Sequence, residues 1–286
     1  MSHGTAAREG WNAEWSEELE RDYNLREAFP DHPRYFADWR GRSAAARARL
    51  AAAVGLAYGP GPRQKLDLFR AAGRRVPLLV FVHGGYWRTM DRSDFSFLAE
   101  PLVARGVSVA IPSYSLCPQA TLDDIVQDVR AGFTWIGAHA DSYGVDPERI
   151  HLSGWSAGAQ LAAMLVAGLN GATQARSAFL LSGIYDLRPI RHTRANDDLR
   201  LDAPAAARNS PLLLRPGAVT RLAVAAGALE TAAFRKQSRD LAAAWGAHLP
   251  EVSAHEIAGV HHYGIVSELG DAGSVLFGLL LGQIRS

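Results

Sequence analysis

The chain has 286 residues, 48% of them hydrophobic, which is enough for one large α/β domain plus a small cap. Its net charge of +1 gives no reason to expect a nucleic acid or an anionic membrane as partner. Cys117 is the single cysteine, so an internal disulfide and a cysteine-based zinc centre are both excluded. Met1 to Arg21 is polar and lacks the apolar core of a signal peptide, and no apolar run approaches the roughly 18 residues of a membrane span. The expectation is a soluble, cytoplasmic protein.

Residues 10 to about 55 read as helical, with aromatics at Trp11, Trp15, Tyr23, Tyr35, Phe36 and Trp39, broken into two pieces by Pro30 and Pro33. This segment, 1–55, is either an arm packed on the main domain or a lid at a pocket mouth. Arginines in it are interleaved with Glu and Asp, as on a solvated helical surface. From Leu56 the pattern turns strand-like. Gly55–Tyr58 and Lys65–Phe69 are expected to pair antiparallel across Gly59-Pro60-Gly61-Pro62.

Strands and helices then alternate. Val76–Val82 is a strand, Phe95–Arg105 a helix bent at Pro101, Val107–Ile111 a strand and Leu122–His139 a long helix. Ile150–Ser153, Phe179–Ser182, Leu222–Ala226 and Val252–Ile257 are further strands, and Gly273–Ile284 is a closing helix. Such alternation implies one α/β domain, 56–286, with a mostly parallel central sheet flanked by helices. The polar stretch Arg188–Pro216 interrupts it and is a candidate cap insertion, 188–216.

Two motifs carry chemistry. Gly154-Trp155-Ser156-Ala157-Gly158 lies between an apolar strand and a good helix, the setting of a nucleophile elbow. Small residues are needed there because the turn is tight, and the serine is lifted clear of the sheet edge. His83-Gly84-Gly85-Tyr86-Trp87 follows the strand Val76–Val82, where an acyl-transfer serine needs N–H donors for the oxyanion. Gly84, Gly85 and Ala157 are the expected donors, and His83 a brace for that loop. Tyr86, Trp87 and Trp155 could form an aromatic wall for the substrate, or simply pack around the elbow.

A serine nucleophile needs a base, and the base an orienting acid. His261 and His262 follow the last strand, and His262 is preferred because Tyr263-Gly264-Ile265-Val266 reads as the next helix opening; His255, inside a strand, is expected to be structural. Two acids sit past strand ends, Glu230 and Asp186. Glu230, after the strand before the histidine, is preferred. A helix-capping role is the competing explanation for it, and pairing with Arg188 for Asp186.

The ordered set His83-Gly84-Gly85-Tyr86-Trp87, Gly154-x-Ser156-Ala157-Gly158, Ser182 to Ile190, Arg208-Asn209-Ser210-Pro211, Phe234 to Ser238 and His262-Tyr263 resembles kynurenine formamidase (arylformamidase) and its related esterases, from about Leu56 to the C-terminus. The resemblance implies an α/β-hydrolase fold with Ser156 as nucleophile, His262 as base and an acid at position 230. The family acid is Asp in an Asp-x-x-x-Phe pattern, whereas here Glu230 stands four before Phe234, one methylene longer.

These residues together predict a serine hydrolase without cofactor or metal. It would act on a small-molecule ester or aryl formamide through an acyl-enzyme. A general short-chain carboxylesterase is the alternative. A non-catalytic binding protein on the same scaffold is a rival of another class, disfavoured by the complete set of Ser, acid, His and Gly-Gly.

Overall fold

A computed structural model describes residues 15–168, 175–217 and 219–286. Trp11 lies outside them. The N-terminal arm folds as α1 (Glu17–Tyr23), α2 (Leu25–Ala28) and α3 (His32–Arg49). That is one break more than expected, at Asn24, which separates α1 from α2. Pro33 stands in the first turn of α3, where its missing N–H has no helical partner to lose.

The strands are β1 (Ala52–Ala57), β2 (Lys65–Phe69), β3 (Val76–Val82), β4 (Ser108–Pro112), β5 (Val145–Trp155), β6 (Ser177–Leu181), β7 (Arg221–Gly227) and β8 (Val252–Ile257). They form one sheet in the order β1-β2-β4-β3-β5-β6-β7-β8. The contacts β1–β2 and β2–β4 are antiparallel, and all later neighbours are parallel. The sequence-predicted hairpin and mostly parallel sheet are therefore both present. Strand β3 is apolar almost throughout because both faces of a parallel sheet are covered. Pro77 is tolerated in it because the β3–β5 register shifts between Val76 and Leu78.

The remaining helices are α4 (Ala99–Val103), α5 (Leu122–His139), α6 (Ala157–Ala167), α7 (Asn196–Leu199), α8 (Ala203–Arg208), α9 (Ala232–Gly246), α10 (Gly264–Leu269) and α11 (Val275–Arg285). Helix α5 begins where Thr121 and Asp124 cap each other reciprocally, and it buries Ile125, Val126, Val129 and Phe133 at helical spacing. The predicted bent helix Phe95–Arg105 is instead a tight 3-10 segment, Arg92–Leu98, followed by α4. Pro101 falls third in α4, within the turn whose N–H groups lack helical acceptors, so a fresh helix start accommodates it without a bend.

The arm is part of the core. Trp39 is fully buried, donates its indole N–H to Ser267 Oγ at 3.0 Å and meets the edge of Trp155 at 5.4 Å between ring centres. Below it, the fully buried Asp67 of β2 accepts from Arg92 Nε at 2.9 Å and from the Gly55 N–H at 2.8 Å, and pairs with Arg47 of α3. A buried carboxylate needs such company, since an unpaired one would cost several kcal/mol. Among the described residues no helix is long and apolar enough to cross a membrane.

Candidate active site

In a parallel sheet the loops leaving the carboxyl ends of the strands meet on one edge, and the predicted chemical residues come from the ends of β3, β5, β7 and β8. Strand β5 ends at Trp155 and α6 starts at Ala157, so Ser156 alone makes the turn, with φ 57° and ψ −121°. This left-handed backbone is strained for a serine. It is held by the Ser156 N–H, which donates to the Leu181 carbonyl at 2.8 Å. A methyl on Gly154 would strike the carbonyl of Gly158, and one on Gly158 would strike the carbonyls of Val82 and His83. Both glycines are thus dictated by backbone contact. The serine hydroxyl does not cap α6.

Past β8, His262 is buried and its Nδ1 lies 3.0 Å from Glu230 Oε2. The other Glu230 oxygen accepts from Ser182 Oγ at 2.5 Å and from the Gly227 N–H at 2.6 Å. Glu230 does not cap α9, whose N-cap is Thr231. Phe234, one turn into α9, presents its ring edge-on to the imidazole at 4.8 Å, which gives the spacing from Glu230 to Phe234 a physical meaning. Trp155 packs on the other side at 4.9 Å and donates its indole N–H to the His262 carbonyl at 2.9 Å.

The rival residues lie elsewhere. His261 stacks on Phe29 at 4.5 Å, and its Nε2 is 3.5 Å from Asp31. Asp186 is taken by Arg188, with bonds of 2.9 and 2.7 Å; burial raises its carboxyl pKa, but these bonds outweigh that and hold it below the ordinary value. His255 bonds Ser253 Oγ on its own strand at 2.9 Å.

The loop after β3 is braced as expected. His83 Nδ1 lies 2.7 Å from the Gly84 carbonyl, and its ring stacks on Tyr114 at 4.4 Å. Complete burial pulls its pKa down to about 4, against the partial support of the Gly84 carbonyl, so it is neutral at physiological pH. On Gly84 a methyl would sit 2.5 Å from the Trp155 ring, and Gly85 has φ +116° with the Thr89 carbonyl filling the place of a side chain. The N–H groups of Gly84, Gly85, Tyr86 and Ala157 have no hydrogen-bond acceptor among the described residues.

Ser156 and His262 open on a cavity of about 500 Å³. Gly85, Tyr86 and Trp155 line it, whereas Gly84, which faces Trp155, and the buried Ala157 lie behind that lining. The place of Trp87 in an aromatic wall is corrected: it is fully buried, and its indole N–H donates to Gln160 Oε1 at 2.9 Å beneath the loop. Tyr86 and Trp87 are consecutive left-handed residues, and only the first turns its ring to the cavity. The opposite wall was open in the sequence. It comes from the arm (Tyr23, Leu25, Phe36), the loop at Pro118 and the insertion 188–216 through Thr193 and Asp198. The hydroxyl of Tyr86 donates to the Tyr23 carbonyl, and Gln237 of α9 donates to Tyr23 Oη at 3.0 Å, so the arm is hydrogen-bonded into the site. Periodicity could signal an amphipathic arm, but not which cavity it would wall.

His83 and His151 lead to an expected pH effect on stability. Burial lowers both to about 4. In the unfolded chain each takes a proton near pH 6.5, while the folded chain does not until about pH 4, so stability is lost as pH falls through that window. Each histidine should contribute roughly 2 kcal/mol of the loss between pH 7 and pH 5. Urea melts at the two pH values check this, and His151→Gln should remove close to half of the combined drop; an unchanged pH slope in that variant refutes the assignment.

Comparison with known proteins agrees with this architecture. Residues 66–182 match the family described as BD-FAE. The chain is 34% identical to the kynurenine formamidase of Danio rerio over 239 residues, 79% of this chain and 80% of that protein. It is 32% identical to the kynurenine formamidase of Drosophila melanogaster over 228 residues, 74% of this chain and 75% of that one. Among solved structures, a candidate thioesterase from Silicibacter sp. TM1040 superposes with a TM-score of 0.83 at 33% identity, covering 95% of this chain and 100% of that one. Esterase B from Lactobacillus rhamnosis superposes with a TM-score of 0.68 at 19% identity, covering 92% and 95%, a likeness of fold.

The fold and these likenesses define an α/β-hydrolase, an enzyme of the arylformamidase type. Within that class the chain belongs to the kynurenine formamidase family.

Proposed function

We propose that the protein hydrolyses an aryl formamide or a short-chain carboxylic ester through an acyl-enzyme formed on Ser156. The observation that carries the reading is the buried pair His262 Nδ1–Glu230 Oε2, 3.0 Å apart, on a histidine that shares the cavity wall with a serine at a strained strand-to-helix turn. His262 takes the Ser156 proton as the hydroxyl attacks the carbonyl. The N–H groups of Gly85 and Ala157, with that of Tyr86, stabilise the oxyanion. Gly84 serves this loop by allowing Trp155 to pack against it. His262 then protonates the leaving arylamine or alcohol, and water activated by the same imidazole releases the acid. Glu230 fixes the tautomer that leaves Nε2 free and stabilises the imidazolium, while Ser182 and Gly227 hold the carboxylate for that purpose.

A formyl group is the smallest acyl group, and an arylamine leaves more easily than an alkylamine. The aromatic cavity wall of Tyr23, Phe36, Tyr86 and Trp155 suits a flat leaving group. The test is kcat/KM on an aryl formamide against a matched phenyl acetate, with labelling by a fluorophosphonate as a check for an activated serine. Preference for the formamide supports formamidase action, and preference for the acetate supports a general carboxylesterase. An unlabelled, inactive protein refutes both.

The acid has its own expected outcome. Glu230→Gln should lower kcat by roughly 10²–10⁴, because the imidazole loses the partner that sets its tautomer. Glu230→Asp should retain measurable activity. Asp186→Asn should act on stability or KM, since it loses only its bonds to Arg188. A collapse of kcat in Asp186→Asn beside a near-normal Glu230→Gln would move the acid to the end of β6.

A further inference from the structure

The arm contributes more to the site than a wall. Helix α1 ends at Tyr23, and a helix leaves its last four carbonyls without helical partners. Two of these are taken by opposite sides of the catalytic machinery. The Tyr23 carbonyl accepts from the Tyr86 hydroxyl at 2.5 Å, on the turn that supplies the proposed oxyanion donors. The Asp22 carbonyl accepts from Thr231 Oγ1 at 2.9 Å, one residue past Glu230. Thr231 is the N-cap residue of α9, yet its hydroxyl makes no capping bond to that helix. A threonine so placed ordinarily caps, and here its hydroxyl goes to the arm instead.

The Tyr23 side chain continues the same connection. Its hydroxyl accepts from Gln237 Nε2 at 3.0 Å. Its ring lies 5.8 Å from that of Phe234, which in turn meets His262 at 4.8 Å. The end of α1 is thus fastened to the acid and histidine side through Thr231, Gln237 and Phe234, and to the oxyanion side through Tyr86.

The bond to Tyr86 matters because its turn is strained. Tyr86 and Trp87 both have φ 56°, a conformation uncommon for residues with a side chain and kept only where the surroundings enforce it. Trp87 is fixed by its indole N–H on Gln160 and by its carbonyl, which accepts from the Cys117 N–H at 2.8 Å. Among the described residues Tyr86 makes a single hydrogen bond, the one to Tyr23.

We propose that the end of α1 is a clamp across the active site and that Tyr86 is a positioning residue: its hydroxyl, held by the Tyr23 carbonyl, keeps the oxyanion turn in its strained, donor-presenting form. The inference rests on the hydrolase reading above. It gives the arm a part in catalysis beyond packing and beyond lining the cavity.

Tyr86→Phe tests it, because it removes the hydroxyl and keeps the ring on the cavity. Its kcat should fall about tenfold or more with KM within about threefold, since a displaced donor acts on the tetrahedral state and not on bound substrate. Phenylboronic acid forms a tetrahedral anion on an activated serine, and its affinity should fall by about the same factor as kcat/KM. Thr231→Val breaks the other attachment and should lower kcat about fivefold, and the double variant should be no more than about twofold slower than Tyr86→Phe, because both act through one clamp. The proposal is overturned if Tyr86→Phe stays within about threefold of wild-type kcat, if kcat falls without a matching loss of boronate affinity, or if the two effects multiply in the double variant. Should Tyr86→Phe fail to fold, Thr231→Val decides. Matched losses of kcat and boronate affinity at an unchanged melting temperature support the clamp, and an unchanged kcat overturns it. The hydrolase reading fails separately. A wild-type protein that takes no fluorophosphonate label and cleaves neither an aryl formamide nor phenyl acetate loses that reading and this one with it. An active enzyme indifferent to Tyr86→Phe loses only the clamp.

Discussion

Ser156→Ala is expected to lower kcat by on the order of 10⁴-fold or more, with a melting transition close to that of the wild type. The size follows from the unit in which the hydroxyl works in the proposed mechanism: without it, His262 would have no proton to take and Glu230 no imidazolium to stabilise. The stability is expected to hold because the substitution removes one oxygen that caps no helix. The turn itself is kept by backbone, through the Ser156 N–H on Leu181 and the contacts of Gly154 and Gly158. Alanine adopts the same left-handed strain as serine. A variant with more than a tenth of wild-type turnover on its best substrate would remove Ser156 from the mechanism.

His262→Ala should approach the same loss, while His261→Ala should leave kcat within a few-fold of wild type. The two side chains are adjacent but go to opposite environments. His262 points to Glu230 between Trp155 and Phe234. His261 faces Phe29 and Asp31 on the arm, where its loss removes a stacking contact worth roughly 0.5–1.5 kcal/mol. The pair therefore separates chemistry from packing: kcat reads the first and thermal stability the second. Equal losses of kcat, or the reverse order, would show that the histidine loop is assigned in the wrong register. In His262→Ala the buried Glu230 keeps the bonds from Ser182 and Gly227, so the protein should still fold.

The strands could be read in the chain because their signal is local. Val76–Val82 is an unbroken apolar run, and it is β3 to the residue. Leu122–His139 combines a cap with helical spacing, and it is α5 to the residue. The elbow was legible for a stronger reason: glycine at 154 and 158 is required by backbone atoms whose positions the strand-turn-helix geometry fixes. That Glu230 rather than Asp186 would stand beside His262 followed from strand order, since a parallel sheet places the end of β7 beside the end of β8.

Other features depend on distant parts of the chain and left no local mark. Trp87 and Tyr86 are neighbours of similar character, yet one lies under the loop and the other faces the cavity, because Gln160 and the Tyr23 carbonyl, both remote in sequence, receive their polar groups. The break at Pro101 was visible, but whether the chain would bend or restart its helix depended on what Arg92–Leu98 packs against, including the Ser43 hydroxyl of α3, which bonds the Asp94 carbonyl and the Phe97 N–H. The arm showed aromatics without direction. Tertiary contacts made Trp39 core, Tyr23 cavity wall and Phe29 the stacking partner of His261. Backbone propensity and hydrophobic periodicity are short-range, so they set the elements, their order and the turn that carries the serine. The cavity's shape and charge arise where six separate segments converge, and that convergence is a property of packing across the whole domain.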